Sequence, residues 1–136
     1  DVLEPNTVLI APGGQHLHLE QRGSQVVARI KDGDPVSGHK PSVDVMMSDA
    51  ARIFGPRCLG VIMTGMGRDG ANGWRAIYDG GGYVLGQDAE SSDVYGMNRA
   101  AFVEGHVHRQ FHLDEVARVI TQAAQRLKSA SSTAAC

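Results

Sequence analysis

The sequence predicts a layered α/β domain, and three observations lead there. An apolar run, CLGVIMT at 58–64, passes at once into a glycine turn, then a helical pattern, then a second apolar run, YVLGQ. That is the order of a βαβ unit. Glycine is in excess, at 17 of 136 residues, as expected where many tight turns join short elements. A hydrophobic fraction of 42% and a charged fraction of 21% describe a globular chain, and its length suits one domain with a real core.

Taken in order, residues 7–11 (TVLIA) read as a buried strand ending at Pro12-Gly13-Gly14. HLHLEQ and SQVVARI follow, separated by Arg22-Gly23, and their alternation of apolar and polar residues reads as a two-stranded hairpin. After the polar loop KDGDPVSGHK, Pro41 and Ser42 open a helix with Val43, Met46, Met47, Ala50 and Phe54 on one face, and Gly55-Pro56 stops it. The 58–64 run is expected to be a central strand, covered on both faces. From Asp69 a helix should reach about Asp79 and close at Gly80-Gly81-Gly82, before the strand YVLGQ. A short helix over 97–103 and an extended piece near Val107 lead to a last helix over about 113–128, with Leu113, Val116, Ile120, Ala123 and Leu127 on one face. Residues 129–136 are expected to form a flexible tail. That divides the chain into a domain over 1–128 and the tail.

A formal charge of -2 gives no electrostatic reason to expect nucleic acid or an acidic membrane. Two cysteines, Cys58 in an apolar run and Cys136 at the end, make no disulfide framework and suggest a reducing compartment, so cytoplasm is expected. No apolar run reaches membrane-spanning length, and DVLEPN lacks the basic and hydrophobic regions of a signal peptide. The abrupt entry into TVLIAP is what a chain beginning inside a larger fold would show.

The stretch MTGMGRDGANG, 63–73, contains G-x-G-x-x-G at Gly65, Gly67 and Gly70 and admits three readings. A dinucleotide site would use the glycines for pyrophosphate and Asp88 for ribose, but Asp69 would compete with the phosphate at the helix start, and Met66 and Arg68 crowd it. Asp69 could be the N-cap of its own helix, folded back on the amides of Ala71 or Asn72. The third reading is catalytic, with Asp69 orienting a histidine and turn amides facing a developing oxyanion. Ser91 and Ser92 read as a solvated loop rather than a nucleophile, and Cys58 as inert core. His16-x-His18, and His106-x-His108 with His112, have spacings that can ligate zinc, yet no acid or cysteine cluster completes either set, so no metal is expected. His16 should line the cleft or pack beneath it, and His39 reads as an exposed loop histidine at the rim.

In order and separation, VLIAPGGQH, DGDPVSGHKPSVD, GVIMTGMGRDGANG and GQDAESSDVYGMNRAA resemble the catalytic domain of the CheB-type protein-glutamate methylesterases of bacterial chemotaxis. The resemblance covers nearly the whole chain. It implies a doubly wound, mostly parallel sheet with helices on both faces and a β-hairpin, and an esterase that removes methyl groups from chemoreceptor glutamates, in some members also deamidating glutamines. It implies no cofactor and no metal. Of the family's Ser, His, Asp triad, Asp69 matches the acid, and the Met66 backbone amide matches the oxyanion position. The family's serine and histidine motifs lie upstream of the blocks seen here and do not occur in this chain, which is expected to be a fragment inactive by itself. The implied partners are the cytoplasmic helices of methyl-accepting chemoreceptors and the upstream half of the domain or a receiver domain. Nucleic acid and membrane insertion are not implied, and an isolated fragment could self-associate. Asn98 departs from the family's YGMP. An inactive receptor- or regulator-binding module and a dinucleotide-binding enzyme stand as the alternatives.

Overall fold

The computed structural model describes residues 1–134. Cys136 lies outside the described residues. The chain runs β1 (His16–Arg22), β2 (Gln25–Lys31), α1 (Val43–Phe54), β3 (Leu59–Ile62), α2 (Ala71–Asp79), β4 (Tyr83–Gln87), α3 (Met97–Val103), β5 (Arg109–Phe111) and α4 (Val116–Ala134), with single 3-10 turns at Gly55–Arg57 and Leu113–Glu115.

β1 and β2 pair antiparallel from His16↔Lys31 to Arg22↔Gln25. Gly23, at φ 61, supplies the positive dihedral that a two-residue hairpin turn needs at its first central position. Leu17, Leu19 and Ala28 of this hairpin are buried in one cluster with Ala50 and Ala51 of α1 and with Ile62, Trp74, Ile77 and Val84. The second sheet is parallel, in the order β3-β4-β5. Its residues alternate between two covers: Ile62 and Val84 join the α1/α2 cluster, while Leu85 and Phe111 pack with Val119 and Ala123 of α4. Helices therefore cover both faces of the parallel sheet, as the doubly wound class requires.

Four expectations need correction. Residues 7–11 form no strand, and Val8 and Ile10 are 85% and 88% exposed, because among the described residues the segment pairs with no strand. The 58–64 run yields a shorter strand at the edge of its sheet rather than its centre, with Leu59 and Val61 only half-buried. A continuous apolar run reports burial on two faces and carries no information on how many neighbours pair with the strand. α2 begins at Ala71 rather than Asp69, because Gly70, at φ 98, takes a left-handed conformation just before it. α4 begins at Val116, after the 3-10 turn, and runs to Ala134, past residue 128.

Candidate active site at the end of β3

The glycine turn leaves the carboxyl end of β3, the edge of a parallel sheet where open α/β folds place their sites. It is pinned first to the 94–98 segment. Thr64 Oγ1 donates to Val94 O (3.0 Å) and accepts from Val94 N–H (2.8 Å), Gly65 N–H donates to Val94 O (3.0 Å), and Met97 N–H donates to Gly65 O (2.9 Å). The two glycine motifs interlock. A Cβ on Gly65 would lie 2.8 Å from Met97 Sδ, and one on Gly96 would lie 2.6 Å from Gly65 O. The glycines of TGMGRDG are thus explained by close backbone approach between two motifs and by positive φ at Gly67 and Gly70, with no dinucleotide required.

Between those pins the chain rises to Met66, which is 79% exposed. Among the described residues no acceptor takes its amide proton.

Asp69 then turns inward and is 3% exposed. It caps neither Ala71 nor Asn72. Its Oδ1 accepts from Ser42 Oγ–H (2.7 Å) and Asp44 N–H (3.3 Å), and its Oδ2 from Val43 N–H (2.8 Å). It therefore caps α1, an element 25–27 residues earlier, whose own Ser42 makes no side-chain cap. The arrangement is reciprocal. Asp44, in the first turn of α1, accepts from Gly73 N–H in the first turn of α2 (2.7 Å) and from Ser37 Oγ–H (3.2 Å). Both negative charges sit at the positive ends of helices, where they stabilise. Of about four lone-pair positions on the Asp69 carboxylate, three are filled, and one on Oδ2 is left.

His16 lies beneath this corner, 4% exposed, with Nδ1 accepting from Ser42 N–H (3.2 Å) and Nε2 at 2.8 Å from Asp34 O, a pattern that fits the neutral Nε2–H tautomer. It supports the loop before α1 and does not face the turn's surface. His39 is exposed, bonded to Ser37 O, with its ring beside Gly67. Beside the same turn a groove of about 310 Å³ is lined by Gly67, Gly96, Val103, Arg99 and the Arg68–Glu104 ion pair.

The other candidates have structural partners. Ser91 Oγ donates to Asp88 Oδ1 (2.6 Å) and accepts from Leu113 N–H (2.9 Å), while Ser92 Oγ donates to Asp88 O (2.5 Å); among the described residues neither hydroxyl is hydrogen-bonded to a histidine. The Ser91 hydroxyl and amide hold the Asp88 carboxyl below its ordinary range. That carboxylate closes a loop rather than standing open to a ribose. His18 bonds Asp49 (3.0 Å). Burial alone would raise the Asp49 carboxyl, but bonds from Arg52, the Leu19 amide and His18 together hold it low. His108 is sandwiched between Tyr78 and Tyr83, at ring separations of 4.3 and 4.8 Å, accepts from Val84 N–H at 2.9 Å, and has its pKa lowered by burial. Among the described residues no group of three His, Cys, Asp or Glu is placed to hold a metal ion. Cys58 is buried, which pushes its thiol pKa up.

The sequence marks Ser42 as a helix opener and Asn98 as a departure from YGMP without giving either a part in the site, and it leaves Asp44 and Gln87 unremarked as site residues.

The CheB methylesterase family model matches residues 1–120. A protein-glutamate methylesterase/protein-glutamine glutaminase of Treponema denticola is 47% identical over 122 residues, covering 90% of this chain and 33% of that protein. One from Anaeromyxobacter dehalogenans is 48% identical over 120 residues, covering 88% of this chain and 34% of that protein. The chain thus spans about a third of the length of these curated relatives. The crystal structure of the Thermotoga maritima CheB methylesterase catalytic domain superposes with a TM-score of 0.83 at 29% identity, over 93% of this chain and 64% of that one. Among the described residues no helix is long and apolar enough to cross a membrane. A parallel sheet covered by helices on both faces, a glycine turn at its carboxyl edge and a match over residues 1–120 agree, and the chain belongs to the CheB methylesterase family.

Proposed function

We propose that this chain supplies the acid and one oxyanion donor of a chemotaxis protein-glutamate methylesterase. The observation that carries the reading is that one turn presents, three residues apart, an unengaged backbone amide at Met66 and a carboxylate at Asp69 held by three hydrogen bonds. A triad acid has to be ionised and immobile so that it can fix one histidine tautomer, and an oxyanion donor has to be unpaired before the reaction. In the whole protein, a serine outside this chain attacks the glutamyl methyl ester carbonyl while a histidine takes its proton. The new C–O bond turns the carbonyl oxygen into an oxyanion facing the Met66 amide. Collapse expels methoxide, which takes the proton from the histidine and leaves as methanol. Water then repeats the sequence on the acyl-serine and releases glutamate. Asp69, through its remaining lone pair on Oδ2, orients the imidazole and stabilises the imidazolium. The substrates are methylated glutamates on the cytoplasmic helices of chemoreceptors. Glutamine deamidation would follow the same path with ammonia as leaving group. On this reading the reaction takes place in the cytoplasm.

The whole protein, incubated with a methylated receptor, should release methanol, and a serine-directed covalent inhibitor should stop it. The chain of residues 1–136 alone should release none, and the inhibitor should leave its mass unchanged. A folded whole protein that releases no methanol would sink the reading in favour of a binding module, and a stoichiometric inhibitor adduct on Ser91 or Ser92 would overturn the placement of the nucleophile.

A further inference from the structure

The amide of Met66 has no partner of its own, so its position depends on what holds the turn from behind. Behind it lies a buried polar clamp with no charged member. Gln87, at the end of β4 and 1% exposed, accepts Thr64 N–H on Oε1 (2.8 Å) and donates from Nε2 to Ser91 O (2.7 Å). Asn98, in the first turn of α3 and also 1% exposed, donates from Nδ2 to Gln87 O and to Ser92 Oγ, both at 2.8 Å. Asn98 Oδ1 is buried and, among the described residues, accepts nothing. A flipped amide would set that oxygen against the Gln87 carbonyl, so the side chain is held there for its two N–H groups alone.

The clamp reaches the turn by two short routes. Through Gln87 it fixes Thr64, two residues before Met66. Through the start of α3 it fixes Met97, whose amide bonds Gly65 O and whose sulfur packs on Gly65, and Gly96, where a Cβ would run into the Gly65–Gly67 backbone.

The geometry points to Asn98 as a positioning residue that, through Gln87 and the 96–97 backbone, sets where the Met66 amide meets the oxyanion. This rests on the reading of Met66 as an oxyanion donor. It also accounts for a buried asparagine in a helix first turn, where it satisfies no amide of its own helix.

The test uses the whole protein, with turnover counted per serine titrated by a covalent inhibitor, so that loss of folded molecules does not register. Asn98→Leu keeps the branched shape, with more bulk, and removes both donors, and Asn98→Ala removes the donors without adding bulk. Each should lower kcat for ester hydrolysis about tenfold with KM within twofold, less than the 10²–10³ lost when an oxyanion donor is deleted outright. Should both fold poorly, Ser92→Ala removes one acceptor and leaves Asn98 in place, and a fall in kcat of a few-fold is expected. The amide order parameter of Met66 should fall from about 0.85 toward 0.6 in each variant. Asp79→Ala, at the far end of α2, should change nothing. Unaltered kcat per titrated site with an unaltered Met66 order parameter would overturn the inference while leaving the esterase reading intact. An inactive wild-type protein would instead remove the reading beneath it.

Discussion

Replacing Asp69 by asparagine separates what the residue does for the fold from what it does for the reaction. The carboxylate accepts on both oxygens, and an amide keeps only one acceptor. The better orientation leaves oxygen toward Ser42 Oγ and Asp44 N and turns the NH2 group onto Val43 N–H, at a separation now 2.8 Å. One hydrogen bond to a charged group, about 1.5–3 kcal/mol, is lost. Removing a negative charge from the α1 N-terminus costs about 0.3–1 kcal/mol more. Together the change should destabilise by about 2–4 kcal/mol, a fall in Tm of roughly 5–15 °C for a domain of 150–250 residues. Turnover of the molecules still folded should fall by about 10⁴, the size found when the acid of a Ser-His-Asp triad becomes an amide. Calorimetry gives the first quantity and methanol release per titrated serine the second. An unchanged Tm would refute the cross-helix cap, and near-normal turnover would refute the catalytic assignment, each independently of the other.

Three further outcomes follow from other parts of the structure. Gly70→Ala places a Cβ 2.6 Å from Trp74 Nε1 at φ 98, and the left-handed strain and the clash should together cost about 2–5 kcal/mol in a denaturant titration. Burial lowers His108 below its ordinary 6.5, so just below that value the unfolded chain holds more protons than the folded one. Stability should be complete above pH 6.5 and decline as the pH falls beneath it, and His108→Asn, whose oxygen can still accept from Val84 N–H, should flatten that slope of Tm against pH. Identical slopes would refute it. The isolated chain should self-associate through its exposed 8–10 segment and the unpaired edge of β3, and Val8→Lys with Ile10→Lys should shift light scattering toward the monomer mass.

The elements legible in the sequence were those whose signals are local. The helix from Val43 to Phe54 was bracketed by Ser42 and Gly55-Pro56, the hairpin by alternation and Gly23, and α3 matched its expected span of 97–103. What failed needed partners. The 7–11 segment has strand composition, yet a strand exists only by pairing, and composition does not reveal whether a neighbour is there. Within the site, the sequence singled out Asp69 and Met66. It did not show that Asp69 would cap a helix beginning 26 residues earlier, because N-cap rules refer a side chain to the helix that follows it. Gln87 and Asn98 were illegible for the same reason, since a buried amide is recognised by the carbonyls around it and not by its spacing.

The exchange of caps between α1 and α2 also sets an order of assembly. Among the described residues Asp69 finds its donors only on Ser42, Val43 and Asp44, and Gly73 finds its acceptor only on Asp44, so neither helix start is complete while the chain has folded only locally. These bonds close loops of 25–29 residues and form when the two helices dock. Until then the carboxylate is solvated and mobile. A nascent or partly unfolded chain would therefore carry an aspartate at 69 that is aimed at nothing, and any hydrolytic competence of the turn would appear in one step with tertiary structure.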